Sequence, residues 1–512
     1  MKAKSLIKKI AVYPKSIIWS KVKKEGVIFP HAFAIAIDDM GWNYGSNNGE
    51  NGEPGPYRIG LNKKLGLNDY KAVVNVGKKV GARIQGLFVL CEMDRNNTCA
   101  KYPTTTMFGE DWDNTGNVCD EQIEIMDYVR NQAAHLEFGM HGVGHEFWPA
   151  KNKKVRAEWY NFEEKKSWPE EELIKHIECF KEIMAQYGLT PENGHSFPES
   201  FVPCACAYYW NPNGKYSLGS LLYKNGTKYA NTLFPLITEL NPPQEPNGGG
   251  FDQGLHVINR LNWGNEWWCL NSLPSEPIEN QTTDIVESHW ANWLAQDSFL
   301  QNEVTQKFID YYKMVQACPT RYIAKNTEQL HSQWLYNKYT IITETSPGNV
   351  LIDNSKMPDE VYAYKIISCL VLKIKLESNH HISFALLNNN SICSYFEEAG
   401  YAFLYLPPLQ QQTYSLKYNI GTECMPEYIF NDGTYNVYSF FKEYNKIKIN
   451  IKVYGHQLVK IKCRNPVSIH STNKNLKIID KSYSEEQNMF TVELRARNFQ
   501  GEISDLILNF GK

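Results

Sequence analysis

The sequence has no apolar run that approaches the roughly 18 residues a helix needs to cross a bilayer, so no membrane-spanning helix is expected. No secretory leader is expected either. Lys2, Lys4, Lys8 and Lys9 are followed only by Ile10-Ala11-Val12-Tyr13 before Pro14 and Lys15, too short for the apolar core of a signal peptide, and the expected location is cytoplasmic. Excess charge is lacking: 53 Lys and Arg against 56 Asp and Glu give a net charge of -3, so a nucleic-acid partner is not expected. There is no internal repeat and no low-complexity segment. The twelve Cys are scattered, mostly in apolar or strand-like contexts typical of reduced thiols. Cys204-Ala205-Cys206 is the one close pair, and its spacing matches no zinc or redox motif.

What is present is ample material for folding. With 512 residues, 42% hydrophobic and 21% charged, the chain is long enough for two or more domains with full cores. Thirteen Trp and thirty-one Tyr suit stacking on sugar rings, or equally a large, partly buried surface.

Residues 1–26 are basic without a clear period and read as an amino-terminal extension. From residue 27 to 345, strand-like and helix-like segments alternate. Strands are expected at Phe33 to Ile37, Ala82 to Leu90 and His135 to Met140, with two more near 194–200 and 284–287. Helices are expected over 71–80, 119–132, 170–187 and 302–315. Strand, helix, strand order predicts a parallel α/β core. Beyond residue 346 the period changes to two. Ile447, Ile449, Ile451 and Val453 alternate with Lys448, Asn450 and Lys452, and Phe490, Val492, Leu494 and Ala496 alternate with polar neighbours, which predicts one all-β sandwich over 346–512.

Two motifs carry chemistry. The run Phe33-Ala34-Ile35-Ala36-Ile37 stops on Asp38 and Asp39, placing two carboxylates at the carboxyl end of a buried strand, where α/β sheets hold their sites. His141 and His145, four apart at the end of another expected strand, are a plausible metal pair. Gly142 and Gly144 between them place both on a loop or first turn rather than a regular helix. A metal needs ligands that converge on one edge of a sheet, and these four residues are arranged to converge.

Ala-Ile-Asp-Asp-Met followed by His-Gly-Val-Gly-His resembles the carbohydrate esterase and polysaccharide deacetylase (NodB-like) superfamily over roughly residues 30–335. The resemblance implies a distorted (β/α) barrel and metal-dependent removal of acetyl groups from a poly- or oligosaccharide. It implies Asp38 as general base and one divalent metal ion, zinc above others, on Asp39, His141 and His145. The late His motif of the family falls on His289, as general acid. The family's Arg-x-Pro strand, whose Arg orients the catalytic Asp, is echoed by His195-Ser196-Phe197-Pro198 without the Arg. Arg58 and Arg260 are the candidates to stand in for it, with Asp252 as acidic partner. Glu146 reads as a supporting partner of the second His or, by preference, as a turn residue, and Trp42, Trp148, Trp263, Trp267 and Trp268 as either cleft lining or packing. Two alternatives stay open: a metal-independent glycoside hydrolase on the same barrel, and a non-catalytic carbohydrate-binding protein with a degenerate site.

Overall fold

The computed structural model describes residues 26–43, 65–151, 153–234, 248–267, 269–392 and 394–511. Residues 1–25 of the extension, Arg58 and Trp268 lie outside the described residues.

The site-bearing part is built on nine strands: β1 (His31–Met40), β2 (Ile84–Val89), β3 (Leu136–Gly142), β4 (Ser200–Phe201), β5 (Tyr229–Thr232), β6 (Gly249–Asp252), β7 (Leu255–Asn259), β8 (Ile285–His289) and β9 (Arg321–Ile323). Their order across the sheet is β6-β7-β5-β4-β3-β2-β1-β8, with β9 also pairing with β1. All pairs are parallel except the β6-β7 hairpin. Between them run α1 (Leu67–Val80), α2 (Asp120–Asn131), α3 (Glu170–Ala185), α4 (Leu218–Asn225), α5 (Gln301–Ala317) and α6 (Thr327–Tyr339).

Helix limits follow local chemistry. Asp69 accepts from the Gly66 N–H at 2.9 Å to begin α1, Lys78 and Lys79 complement its carboxyl end, and Gly81 closes it in the left-handed region. Glu170, Glu171 and Glu172 fill the first turn of α3 after Pro169.

The expected distorted (β/α) barrel is not what forms. Strand outweighs helix, 36% against 26%, and the nine-stranded sheet is a half barrel. Among the described residues, the segment after β7 meets β8 at an isolated bridge from Leu261 to Val286. The physical reason lies in the second half of the sheet, where β4 has two residues and β6 turns antiparallel, so regular strand, helix, strand winding stops. Alternate side chains then face two different environments. Phe33, Ile35 and Ile37 of β1 and Phe138 and Met140 of β3 pack into the core shared with α1, α2, α3 and α5. Ala32 and Ala36 of β1, Leu87, Val202, Tyr229, Ile258 and Ile285 face inward, toward Leu330 and Trp334 of α6 and the strands beyond. A helix, not a ring of strand side chains, fills this concave face.

The carboxy-terminal region is all β, and it is also more than the single sandwich expected. An eight-stranded sheet runs through Leu370–Lys375, Tyr401–Leu406, Ser394–Glu398, Tyr428–Phe430, His456–Lys462, Met489–Ala496 and Leu476–Ser484, beginning at Val27–Ile28. A five-stranded sheet covers its first part, sharing a core through Ile352, Ile382 and Leu416 with Leu372 and Leu404. A four-stranded sheet covers the rest, where Ile447, Ile449 and Ile451 meet Val492 and Leu494. One long sheet thus carries two sandwich layers, each with its own core. Buried ion pairs join this region to the half barrel. Lys452 lies 2.6 Å from Glu199 and 3.1 Å from Glu328, and Arg83 lies 2.8 Å from Glu137 while donating to the Phe499 carbonyl at 3.1 Å.

Candidate metal centre

The centre forms at the carboxyl ends of β1, β3 and β8, on the concave face. Strand parity explains most of it. Asp38 shares the inward parity of Ala36, His141 that of Glu137, and His289 that of Ile285 and Glu287. His289 stands directly opposite Asp38 in the β8-β1 register. Asp39 breaks the pattern, because alternation would aim it at the helices. The ladder between β1 and β2 shifts between Ile37 and Met40, and Asp39 takes φ 68°. This bulge swings Asp39 to the same side as Asp38, a left-handed conformation that a residue adopts only where its surroundings hold it. Gly41, at φ 86°, completes the turn where a Cβ would fall 2.5 Å from the Val89 carbonyl oxygen.

Three lone-pair atoms converge there. Asp39 Oδ1 is buried, makes no hydrogen bond, and lies 3.6 Å from His141 Nε2 and 3.7 Å from His145 Nε2. The far nitrogen of each ring faces an acceptor: His141 Nδ1 is 2.8 Å from the Val202 carbonyl oxygen, and His145 Nδ1 is 3.2 Å from Glu146 Oε1. A carbonyl only accepts, so the proton of the neutral His141 ring sits on Nδ1 and the Nε2 lone pair points at Asp39. Burial lowers the His141 pKa against the opposing pull of Asp38 and Asp39, which favours that neutral form. Two imidazole lone pairs facing a buried carboxylate repel unless a cation sits between them. Ligands about 2.1 Å from a tetrahedral metal stand roughly 3.4 Å apart, close to the spacing seen. The donor set therefore fits one divalent cation.

The Gly142 to His145 turn is held from beneath by Glu158. Its buried carboxylate accepts from the N–H groups of Val143 at 2.9 Å, Gly144 at 3.2 Å and His145 at 2.9 Å, and faces His176 Nδ1 at 2.9 Å. A Cβ at Gly142 would fall 2.2 Å from this carboxylate, so a larger residue there would push Glu158 off the turn it holds. Thr104, 3.0 Å from His176 Nε2, completes the support. Replacing Glu158 with Gln keeps the shape and puts an NH2 against N–H donors, so the His pair should lose its fixed placement. We expect zinc affinity, measured by competition with a chromogenic chelator, to fall about 10- to 100-fold. Unchanged affinity in a variant that melts like the parent would refute this role for Glu158.

Next to the triad is a second group, Asp38, Glu287 and His289, whose ligand atoms lie within 4.8 Å of one another. Arg260 already supplies its positive charge. The guanidinium donates to Asp38 at 2.9 and 2.5 Å and to Glu287 at 3.1 Å, all three groups being buried. Burial alone would raise the Asp38 pKa, but the charge and the hydrogen bonds of Arg260 bring it down to about 2. His289 Nε2 is 4.0 Å from Asp39 Oδ2, so it reaches the centre as well.

Every expected site residue, Asp38, Asp39, His141, His145 and His289, is thus gathered in one place. Of the candidates to orient Asp38, Arg260 is the one in position, and its acidic partner is Glu287 rather than Asp252, which instead accepts from the Tyr208 hydroxyl. Arg58 lies outside the described residues. Glu146 is not only a turn residue, since its carboxylate faces His145. Trp42 stacks on His145 with centroids 5.3 Å apart, and Trp267 lies 6.0 Å from His289, whereas Trp148 is buried and Trp263 bonds to Thr283.

Sequence reasoning passed over Glu158, His176 and Glu287, and set Cys204 aside because its spacing to Cys206 matches no metal motif. Cys204 offers its sulfur to the same His141 and His145 pair, while donating to the His141 carbonyl at 3.3 Å. His176 had a readable signal, a polar residue among Leu173, Ile177 and Phe180 on the buried face of α3. Comparison with family models and with curated proteins found nothing that matches this chain.

Proposed function

We propose that the protein is a metal-dependent hydrolase that removes acetyl groups, N- or O-linked, from a carbohydrate, as members of the polysaccharide deacetylase type do. The observation that carries this reading is the convergence of Asp39 Oδ1 with the Nε2 atoms of His141 and His145, beside an ionised Asp38. Asp39, His141 and His145 would hold the cation, most simply zinc, whose charge would polarise the acetyl carbonyl. Asp38, fixed by Arg260, accepts the proton of the attacking water. His289, across the register from it, returns a proton to the departing amine or alkoxide. Trp42 and Trp267 flank the centre and offer ring faces to a sugar. Among the described residues no helix is long and apolar enough to cross a membrane.

A glycoside hydrolase is the weaker reading. Asp38 and Glu287 are close enough to be a carboxylate pair, but that chemistry needs one of them protonated, and both bind the same guanidinium. The test is acetate release from N-acetylated chito-oligosaccharides and O-acetylated xylan, assayed before and after dipicolinate and again with zinc restored. Acetate that disappears with the chelator and returns with zinc is expected. Glycosidic cleavage that survives the chelator would establish the hydrolase instead. No acetate from any acetylated glycan would leave a binding protein.

A further inference from the structure

A groove of about 860 Å³ lies at the other end of the sheet, between the half barrel and the second sandwich layer. The half barrel contributes Arg130 to Gln132, at the end of α2, and Asn193 and His195, before β4, both where strands begin. Asp38, His141 and His289 stand where strands end, so this groove is remote from the metal centre. Its opposite wall is the sheet formed by His456–Lys462, Met489–Ala496 and Leu476–Ser484.

The charge pattern is unlike the rest of the chain. Arg130, Lys474, Lys477, Arg495 and Arg497 face one carboxylate, Glu493, which His456 engages, although the whole chain carries a net charge of -3. Arg130 is 2.7 Å from Asp127, and Arg497 donates Nε to the Asn193 carbonyl at 2.8 Å. Among the described residues, Lys474, Lys477 and Arg495 make no ion pair. In the ladder His456 stands opposite Arg495, and Arg495 opposite Lys477, so three basic side chains form a row across three adjacent strands. Like charges directly opposite each other in a sheet are about 5 Å apart at Cβ and destabilise it. An anion laid along the row would reverse that repulsion.

We infer that this groove binds a polyanionic glycan, a chain of carboxylated sugars, as an anchor separate from the reaction centre. Two details favour sugar carboxylates over nucleic acid. The side-chain amides of Asn131, Gln132 and Asn475 line the groove and match hydroxyl groups, while among the described residues no Phe, Tyr or Trp lines it to stack a base. Arg495 and Arg497 offer forked donors, the geometry that pairs with a planar carboxylate. His195 is held neutral, its pKa lowered to about 4 by burial and then by Arg130 and Arg497, so it adds a hydrogen-bonding group rather than charge. The choice of a glycan among polyanions rests on the proposed activity; the basic groove does not.

The test uses the full chain and calorimetric titration with oligogalacturonate, with fully methyl-esterified oligogalacturonate and a single-stranded oligonucleotide of equal charge as comparisons. The parent protein should bind oligogalacturonate with an affinity that falls as salt rises. The variant Lys477→Gln with Arg495→Gln should bind at least tenfold more weakly, and Lys477→Arg with Arg495→Lys should retain binding. Both pairs are exposed, and acetate release from a small neutral substrate should be the same in all three proteins. This last readout separates the groove from the centre: lost acetate release in the parent refutes the activity and not the groove. Absence of oligogalacturonate binding, equal binding of the esterified oligomer, or full binding by the Gln pair would overturn the inference. Equal or tighter binding of the oligonucleotide would replace the carboxylated glycan with a polyphosphate.

Discussion

Replacing His141 and His145 together with Ala should leave a folded protein that no longer holds a divalent cation. Two of the three converging ligands are then gone, and Asp39 alone is an ordinary carboxylate in a buried position. Metal per chain, measured by elemental mass spectrometry after dialysis, should fall from about one equivalent to background. The several kcal/mol that a lost Lewis acid contributes to transition-state stabilisation correspond to a drop in acetate release of about a thousandfold or more. A second readout follows from the repulsion between lone pairs. Zinc should raise the melting temperature of the parent, since a ligand bound only by the folded state stabilises it, and should not move that of the double variant. Full metal content in the variant would remove the Asp39, His141 and His145 assignment altogether.

The parts of this centre that were legible in the sequence are those that obey strand and turn chemistry. An apolar run ending in Asp38 and Asp39, and two His with glycines between them, announce themselves because strand ends and short turns are local. The bulge that brings Asp39 around is not local. It depends on the shift between β1 and β2, and no residue type marks it in advance. Glu158 reaches the His pair across 13 to 15 residues, and Arg260 reaches Asp38 across 222, so neither spacing falls within any helix or turn period. For Glu146 the sequence favours the turn reading over the partner one for a different reason: an acidic residue after a turn is usually solvated, and only burial beside His145 gives it a ring to face.

The fold was partly legible on the same terms. Strands with strict alternation, such as Lys446–Val453, follow their pattern because one face meets a core and the other water. The longest of the missed elements is α6. Its residues Thr327 to Tyr336 are buried all round, between the half barrel and the strands beyond it, so it shows no apolar stripe for periodicity to find. Its polar residues are satisfied across those contacts instead: Thr327 donates to Glu137 at 2.7 Å, and Gln333 to the Pro30 and Val371 carbonyls at 2.8 and 3.0 Å. The barrel expectation failed at this point, because the interior that a closed barrel fills with its own side chains is occupied here by a helix.

Replacing Arg260 with Met should uncouple Asp38 from its orientation without removing the metal. Arg260 is buried with Asp38 and Glu287, so its loss leaves two carboxylates within 4.8 Å of each other and no compensating charge, at a cost of about 3 to 5 kcal/mol. The pH dependence carries the sharper signature. In the parent, the Asp38 pKa is depressed from 3.8 to about 2, so the interaction contributes roughly 2 kcal/mol that is fully present above pH 4 and is lost as pH falls toward 2. In the variant, burial and the neighbouring carboxylate both push that pKa upward, so the variant binds a proton on folding and its stability rises as pH is lowered from neutral. Chemical unfolding between pH 4 and 8 should therefore show no slope from Asp38 in the parent, whose dependence on this group lies below pH 4, and stability that rises as pH is lowered in the variant. Acetate release should fall about 10²- to 10⁴-fold, the range for a displaced proton acceptor, while metal content stays near one per chain. Arg260→Lys restores the charge without the fork and should recover stability more than rate. Identical stability slopes in the parent and the Met variant would mean that Arg260 does not govern the ionisation of Asp38, and the assignment of Asp38 as an oriented proton acceptor would fall with it.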